Sequence, residues 1–488
     1  MSPRGGPRKL VLAVIDALDP RALERAVVEG AAPVLGRVME RGTYVDDCVS
    51  TFPSITPVAA SAIVTGLGPA DHLIPSMNWY HRGEGRYVEY GSSFAATRCF
   101  GIVRSLMDTV YNMNLAHLTQ EHPTVFESLD DAGLRTACTT YLIYRGRHRH
   151  KPAGDSRYVR IAEAAQFRHP VWGPRELFYA DLFDTQKTGC SSTLGMPGQR
   201  DRHAGCVGEH LVENDMFDFL LFSLPDNDTF SHREGPEAQP SSIAEADRAL
   251  ERMMAPAGGV DRFLDDHALI VVSDHTHNTI ESSTNLATDL SDWAILAPDG
   301  DPEDAELAVC PGSRSAQVYV LAEHEREAFA GQVADELLEV EGVDLVARWI
   351  AGEVLVQTPR GELRFTPGDG LGDARGGQWR VNGDHEALAL EVSATEVSSQ
   401  EYPEPLGRLW SAVSCTRAGD VIASAAPGWE FADWGGTDHI GGGSHGSLHR
   451  CDSLGVLLTC GVESIEPRAR WSIEDVTPMV LGHFGVAS

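Results

Sequence analysis

A threonine at the predicted start of a helix is the first residue whose position suggests chemistry. Thr56 precedes Pro57 and an apolar run that ends at Thr65-Gly66. Threonine is a good N-cap and proline suits the first helical position, so we predict a helix over residues 58–64 with Thr56 at its N-cap. The unpaired amides and the positive end of the helix dipole would then face the Thr56 hydroxyl, an arrangement that attracts phosphate. Thr56 is therefore a candidate nucleophile, although an isolated Thr-Pro pair usually does no more than cap a helix.

An aspartate and a histidine four residues apart form the first candidate cation site. Asp228 and His232 follow the apolar run at residues 217–224, and a helical turn beginning at Thr229 would project both side chains from one face. Carboxylate and imidazole groups in that arrangement can hold one divalent cation. Asp226 is a competing carboxylate in the same segment.

A second Asp/His pair and a single histidine are further candidates. Asp274 and His275 directly follow the apolar run at residues 268–272, where adjacent side chains can splay toward a common point. His445 lies in the glycine-rich segment 441–446, and glycine allows tight turns beside a ligand. Each group alone is a weak signal, because an aspartate at a strand end usually caps a helix or pairs with a cation, and a lone histidine usually packs without a function.

The elements that must position these residues alternate between strand and helix. Apolar runs predict strands at residues 10–15, 135–142, 217–224 and 268–272, and helical patterns cover residues 22–41, with a break near 30–33, and 124–132. This order is typical of an α/β fold with a mostly parallel central sheet flanked by helices on both faces. Ligands in such sheets gather beyond the carboxyl ends of the strands, so Asp16, which ends the first predicted strand, is expected in the same crevice.

Two segments depart from this pattern and are predicted to be inserted caps. Residues 145–210 are rich in Arg, His, Gly and Pro, and residues 345–384 alternate like a hairpin around Pro359-Arg360-Gly361. We therefore predict a catalytic core in three parts, 1–145, 211–344 and 385–488, separated by a cap-like insertion, 146–210, and a small β-rich insertion, 345–384.

The composition argues against several classes of partner. The 488 residues carry 39 Lys and Arg against 71 Asp and Glu, a net charge of -32 at pH 7. This surplus opposes binding to nucleic acid and to anionic membranes, so neither is predicted as a partner. No apolar run approaches the length of a membrane span, and residues 10–15 are too short for a signal peptide, which predicts a cytoplasmic protein. The nine cysteines show no paired metal or redox spacing and are interpreted as reduced core thiols.

The order of the candidate groups is far more specific than any one of them. Along the chain come Asp16, Thr56 before a helix ending in Thr-Gly, Asp228-x-x-x-His232 followed by Gly-Pro, Ser273-Asp274-His275, and Gly-x-His445-Gly. This order resembles the alkaline phosphatase superfamily, and within it the type I phosphodiesterase and nucleotide pyrophosphatase branch. The resemblance covers roughly residues 1–80, 120–145, 215–300 and 415–488, and neither insertion.

The resemblance implies a two-metal hydrolase of phosphate esters. One divalent ion would be held by Asp228, His232 and His445, and the other by Asp16, Asp274 and His275 with the Thr56 oxygen as its remaining ligand. These ligands suit Zn2+, with Mn2+ as the alternative. Thr56 would attack phosphorus and form a phosphothreonine intermediate that water then hydrolyses. The implied substrate is a small-molecule phosphate ester, with a diester expected above a monoester, and no oligomeric state is implied.

Departures from this branch concern the substrate. Nucleotide-cleaving members have Phe-Pro-Asn after the nucleophile, whereas this chain has Pro57-Val58-Ala59. The change removes the aromatic ring expected to stack on a nucleobase and argues against nucleotide specificity. Those members also place an asparagine near the phosphate. Counting from Thr56, that place falls on Met77, so either Asn78 substitutes after a shift of one residue or the donor is absent.

A basic segment follows the predicted strand at residues 135–142. Arg145 and Arg147 stand in a run of basic residues that ends at Lys151, and they are candidates for binding a second anionic group of the substrate. The favoured alternative is a basic loop that pairs with surface carboxylates.

Other functions are open on the same core. A phosphomonoesterase, a phosphonate hydrolase or a phosphomutase would use the same ligands. A sulfatase is disfavoured, because Cys310-Pro311-Gly312-Ser313-Arg314 differs from the Cys-x-Pro-x-Arg nucleophile motif in the position of its proline and lies far downstream. A metal-binding relative without turnover is the alternative from another class, and the intact Thr56 argues against it.

Overall fold

Eight strands form the central sheet. The structure is a computed structural model that describes residues 7–152, 169–463, 465 and 467–487. In spatial order the strands are Thr43–Val49, Leu454–Cys460, His267–Val272, Lys9–Ile15, Phe219–Leu224, Thr136–Cys138, Glu176–Tyr179 and Phe183–Asp184. The five consecutive strands from His267–Val272 to Glu176–Tyr179 run parallel, and each of the other three joins its neighbour in antiparallel orientation.

The prediction of a mostly parallel sheet is wrong, because the sheet is mixed. The strand Leu454–Cys460 returns from late in the chain and lies antiparallel beside His267–Val272, and Thr43–Val49 pairs with its other edge. Residues 43–49 lack the apolar run of a buried strand, since this edge strand is half-exposed and carries Asp46 and Asp47. The direction in which Leu454–Cys460 enters is a tertiary property that its own residues do not encode.

Helices cover both faces of the central sheet, as predicted. The side chains of Lys9–Ile15 alternate between two hydrophobic cores, with Leu10, Leu12 and Val14 in one and Val11, Ala13 and Ile15 in the other. The break predicted within residues 22–41 is confirmed between two helices. The α-helices of the described residues are Pro20–Val28, Pro33–Arg41, Thr56–Thr65, Pro69–His72, Phe94–Phe100, Ile102–Met107, Val125–Asp131, Arg200–Glu213, Asp226–Glu234, Pro240–Met254, Val260–Asp266, Leu286–Asp289, Arg326–Glu339, Pro405–Ser414 and Val476–His483, with a π-helix at Asp108–His117.

A second sheet of nine strands is almost entirely antiparallel. Its strands in spatial order are Leu307–Gly312, Ser315–Val320, Val421–Ala425, Val343–Ile350, Glu353–Thr358, Gly361–Gly372, Glu396–Ser399 and Leu390–Ser393, with Gln378–Gly383 also paired to Gly361–Gly372. The hairpin predicted around residues 359–361 is confirmed between Glu353–Thr358 and Gly361–Gly372. The sheet therefore combines strands of the predicted small insertion, 345–384, with strands that flank it on both sides.

The first predicted insertion also contributes to the core. Within 146–210 the structure describes residues 146–152 and 169–210, and it places Glu176–Tyr179 and Phe183–Asp184 at one edge of the central sheet. Residues 153–168 lie outside the described part. The predicted domain boundaries and the role of the two segments as caps stay predictions.

The interpretation of every cysteine as a reduced thiol is wrong for two of the nine. Cys190 and Cys206 form a disulfide that ties the segment before the helix Arg200–Glu213 to the helix itself. The spacing of 16 residues carries no sequence signature of a pair, since only the fold brings the two together. None of the described helices is both long and apolar enough to cross a membrane. The cytoplasmic location stays a prediction.

Candidate metal centre

Three neighbouring parallel strands end at the same edge of the central sheet and deliver the acidic groups. Lys9–Ile15 ends at Asp16, and His267–Val272 on one side of it leads directly into Asp274. Phe219–Leu224 on the other side leads into the helix Asp226–Glu234, which carries Asp228 in its first turn. The predicted crevice beyond the carboxyl ends of the strands is where these carboxylates converge.

The first convergent group, called here the threonine cluster, consists of Asp16, Thr56, Asp274 and His275. His275 Nε2 lies 3.1 Å from Thr56 Oγ1, 3.4 Å from Asp274 Oδ2 and 3.6 Å from Asp16 Oδ1. Asp274 Oδ1 accepts hydrogen bonds from the backbone amides of Ala17 and His275, which leaves Oδ2 directed at the cluster. Asp274 and His275 are buried, whereas Thr56 is partly exposed, so a substrate can reach its hydroxyl.

The predicted N-cap role of Thr56 is wrong by one position. Ile55 is the N-cap of the helix Thr56–Thr65 and Thr56 is its first residue. The amides of Val58 and Ala59 donate to Ile55 O, and the Thr56 hydroxyl bonds to His275 instead of to its own helix. The side chain is therefore available to the cluster because it does not cap the helix.

The second group, called here the histidine cluster, consists of Asp228, His232, His277 and His445. Asp228 and His232 are one turn apart on the helix Asp226–Glu234, as the four-residue spacing predicts. Asp228 Oδ1 lies 3.0 Å from His277 Nε2, 3.4 Å from His232 Nε2 and 3.8 Å from His445 Nε2. The two clusters touch, since the His275 and His445 rings stack with centroids 3.7 Å apart.

Backbone carbonyls fix the orientation of two rings in the histidine cluster. His232 Nδ1 donates to Gly443 O and His445 Nδ1 donates to Ser54 O, both at 2.8 Å. A carbonyl oxygen can only accept, so Nδ1 carries the proton and Nε2 of each neutral ring presents its lone pair toward Asp228. This is the arrangement in which metal-ligating histidines are usually held.

The two clusters differ in electrostatics. Burial, together with the neighbouring Asp274 and Asp228, raises the pKa of Asp16 well above its usual value. Burial also opposes ionisation of Asp228, yet His232 and His277 hold the pKa of that carboxyl well below its usual range. Burial lowers the pKa of His232 and of His445, which favours the neutral form of both rings, the form that binds a cation.

Both clusters fit a divalent metal ion. The ligand atoms of Asp16, Asp274 and His275 lie within 4.8 Å of one another, and so do those of the histidine cluster. A tetrahedral zinc ion with bonds of about 2.0–2.1 Å sets its ligand atoms roughly 3.3 Å apart, close to the separations in both clusters. Asp16 Oδ1 is buried without a hydrogen-bond partner among the described residues, which is a cost that a bound cation would remove.

Two residues near the centre were not found from the sequence. His277 lies two positions after His275, and histidines at alternate positions after a strand were an available signal. Tyr141 lies within the predicted strand at residues 135–142 and has no feature in the sequence that singles it out. Its hydroxyl is buried without a partner in the described part of the chain, and burial, followed by the nearby Asp274 and Asp16, raises its pKa well above the usual value.

The residues predicted to contact the substrate form hydrogen bonds with residues outside the two clusters. Asn78 Nδ2 donates to Val88 O within its own hairpin. Arg145 is buried and donates to Glu127 and to the backbone carbonyls of Thr119 and His122. None of these contacts belongs to either cluster, so substrate binding by Asn78 and Arg145 stays a prediction.

Arg147 and Asp226 have partners of their own. Arg147 pairs with Glu127 and Asp131, which matches the alternative of a basic loop paired with carboxylates. Asp226, the competing carboxylate, accepts from Arg200 and from the amide of Asp201. Asp228, and not Asp226, belongs to a group of candidate ligands among the described residues, and its role as a ligand stays a prediction.

Comparison with known proteins agrees with the geometry. The sequence matches the model of the family described as type I phosphodiesterase / nucleotide pyrophosphatase over residues 10–448. No curated protein matches. Murine ectonucleotide pyrophosphatase / phosphodiesterase 5 is a similar structure, with a TM-score of 0.58 at 13% identity over 98% of this chain and 96% of that one. Phosphonoacetate hydrolase from Sinorhizobium meliloti in complex with phosphonoformate has a TM-score of 0.57 at 17% identity, over 98% of this chain and 96% of that one. At these identities the structural likeness shows the fold.

Proposed function

The chain belongs to the type I phosphodiesterase / nucleotide pyrophosphatase family, and from this premise we propose that it is a two-metal phosphodiesterase that hydrolyses small-molecule phosphate esters through a phosphothreonine on Thr56. One observation carries the proposal. The Thr56 hydroxyl is partly exposed at the start of a helix and lies 3.1 Å from His275 Nε2, inside a cluster of two carboxylates and an imidazole.

The chain's own residues supply the ligands for both ions. Asp228, His232 and His445 would hold one, and Asp16, Asp274, His275 and the Thr56 oxygen would hold the other. Zn2+ suits these mixed ligands best and Mn2+ is the alternative. When bound, the ions neutralise phosphate charge and favour the ionised form of the threonine hydroxyl.

Thr56 is the nucleophile in the proposed reaction. Its hydroxyl loses a proton to water as Oγ1 forms a bond to phosphorus, and the bond from phosphorus to the leaving oxygen breaks in line. The leaving alcohol takes a proton from water. A second water then attacks phosphorus, the bond to Oγ1 breaks, and Thr56 recovers its hydroxyl. The positive end of the helix dipole, where Thr56 lies, favours the anionic group during both steps.

The family name supports a phosphodiester as substrate, and the residues after Thr56 argue against a nucleotide. Pro57, Val58 and Ala59 are buried in the helix and offer no aromatic ring to a base. Solved structures of this fold include an inactive variant of murine ectonucleotide pyrophosphatase / phosphodiesterase 5 with AMP and phosphonoacetate hydrolase with phosphonoacetate. A monoesterase or phosphonate hydrolase on the same ligands is the second candidate.

Replacing the nucleophile tests the proposal. We expect Thr56→Ala to lower turnover of an aryl phosphodiester by more than about 1000-fold while the protein still binds metal. Thr65→Ala is the matched control, because Thr65 lies at the other end of the same helix and its hydroxyl donates to Ser61 O. It should retain turnover. Equal rates for Thr56→Ala and the unmodified protein would exclude a phosphothreonine.

A substrate panel tests the finer assignment. Aryl phosphodiester, aryl phosphomonoester and phosphonoacetate are compared after loading with zinc or with manganese. We expect the diester to be hydrolysed fastest. A higher rate for the monoester would move the assignment to a phosphatase, and a higher rate for the phosphonate would move it to a phosphonate hydrolase.

A further inference from the structure

A third imidazole lies closer to Asp228 than either of the two histidines implied by the family resemblance. His277 Nε2 is 3.0 Å from Asp228 Oδ1, against 3.4 Å for His232 and 3.8 Å for His445. All four ligand atoms lie within 4.8 Å of one another. His277 is buried and its ring is nearly parallel to that of His445, with an interplanar angle of 11° and centroids 5.0 Å apart.

We propose that His277 is a fourth protein ligand of the ion in the histidine cluster, which gives that ion a shell of three imidazoles and one carboxylate. The inference rests on the metal-binding part of the proposed function. Four protein ligands are typical of tetrahedral zinc, and an edge of roughly 3.3 Å, as expected for such a shell, lies within the range of the three distances from Asp228 Oδ1.

The glycine-rich loop makes room for this ring. A Cβ placed on Gly443 would lie 2.8 Å from His277 Nδ1 and 3.2 Å from His277 Cβ, so a side chain at 443 would displace the imidazole. The segment after His277 is also held in place, because Asn278–Thr279 pairs antiparallel with Gly443–Ser444. Gly443 therefore lets the loop that carries His445 pack directly on the ring of His277.

A nearby histidine shows that proximity alone does not make a ligand. His439 stacks on His232 with centroids 4.1 Å apart, but its Nδ1 bonds to Glu430 Oε2 at 2.9 Å. His439 is not among the candidate ligands of the described residues whose atoms lie within 4.8 Å of one another. His277 differs because its Nε2 is directed at the carboxylate that the other ligands share.

The extra imidazole makes the two sites chemically unequal. Three imidazoles and one carboxylate favour zinc, whereas two carboxylates, one imidazole and a hydroxyl also accept harder ions such as manganese. With four protein ligands, the ion of the histidine cluster has no open position unless its shell expands to five. Manganese would therefore enter the threonine cluster more readily than the histidine cluster.

Counting coordinated imidazoles tests the proposal without any assay of turnover. Asp274→Asn removes one charged ligand of the threonine cluster, and the variant is loaded with one equivalent of Co2+. Each imidazole bound to Co2+ gives one strongly shifted, solvent-exchangeable N–H proton resonance. We expect three such resonances in this variant and two after the further change His277→Gln. The affinity for Co2+ should fall by more than about 100-fold, beyond the roughly 10- to 100-fold typical of losing a hydrogen-bond partner of a ligand.

A matched control separates coordination from loss of a buried ring. His72 is buried, and its Nε2 has no hydrogen-bond partner among the described residues, but it belongs to neither cluster. His72→Gln in the same background should keep all three resonances. Two resonances before His277 is changed would show that His277 only donates a hydrogen bond to Asp228 and would overturn the inference while leaving the proposed function intact. No bound Co2+ would overturn both. This count also decides the matter if His277→Gln does not fold.

Discussion

The two clusters share an edge of the sheet but are built for different tasks. The threonine cluster has two carboxylates, one imidazole and the partly exposed Thr56 hydroxyl. The histidine cluster has one carboxylate and three imidazoles, two of them held by backbone carbonyls. An oxygen-rich shell that includes the nucleophile can change during reaction, whereas a shell of oriented imidazoles is suited to hold its ion. The difference fits the proposed function, in which the reaction takes place at Thr56 and the histidine cluster holds its ion in place.

The difference extends to charge before any ion binds. Asp16 has a raised pKa because it is buried beside Asp274 and Asp228, so the carboxylates around the threonine cluster repel one another when they are ionised. Asp228 faces three imidazoles and has a lowered pKa in spite of its burial. A cation thus relieves more repulsion in the threonine cluster than in the histidine cluster.

The largest expected effect comes from removing one carboxylate from each cluster. Asp274→Asn leaves one carboxylate, one imidazole and the Thr56 oxygen, which is a neutral hydroxyl before an ion binds and therefore a poor ligand, so we expect one bound ion and a loss of turnover of more than about 1000-fold. Asp228→Asn leaves three imidazoles, which suffice for zinc, so we expect two bound ions and a loss of only about 10- to 100-fold. Metal content and kcat for the aryl diester check both.

The comparison breaks if the two variants behave alike. A single bound ion in each variant would mean that His277 does not compensate for the loss of the Asp228 carboxylate as a ligand. Asparagine is the matched replacement at both positions, because it keeps the shape of the side chain. At position 274 it also keeps the oxygen that accepts from Ala17 and His275.

A smaller effect is expected from pH on the metal-free protein. The pKa of Asp16 in the folded chain lies above its unfolded value, so its contribution to the free energy of unfolding is complete below the unfolded pKa and is lost as pH rises through the raised value. The gain in Tm on adding zinc should therefore grow with pH across that window. Asp16→Asn should remove this pH dependence from the chelator-treated protein. A zinc-induced gain that shrinks as pH rises would contradict the raised pKa.

Much of the centre was predictable because its signals are local. Asp16, Asp274 and the pair Asp228 and His232 follow apolar strands, and parallel strands carry their ends to one edge of a sheet. His445 was recognised as a candidate from its glycine-rich segment. These features need only neighbouring residues to be recognised.

The features that escaped prediction depend on distant parts of the chain. His277 had only a weak local signal, its position two residues after His275, and its place in the cluster depends on packing against Gly443, 166 residues later in sequence. The antiparallel strand Leu454–Cys460 and the disulfide between Cys190 and Cys206 are also set by tertiary contacts. Thr56 was predicted to be the N-cap, but it is the first residue of the helix. Its hydroxyl bonds to His275 and not to the backbone of its own helix, and helix propensities do not include this distant partner.

The smallest expected effect comes from two buried serines that each brace one cluster. Ser50 Oγ donates to Asp274 O, and Ser54 Oγ donates to Ser447 O, two residues after His445. Each hydroxyl contributes about 1 kcal/mol, so Ser50→Ala should lower the affinity of the threonine cluster for its ion about fivefold. Ser54→Ala should lower the affinity of the histidine cluster by a similar factor. Titration with a competing chelator measures both affinities in each variant. If both substitutions lowered the affinity of the same cluster, the two clusters would not be braced independently. The contrast between a site that reacts and a site that holds its ion would then lose its structural basis.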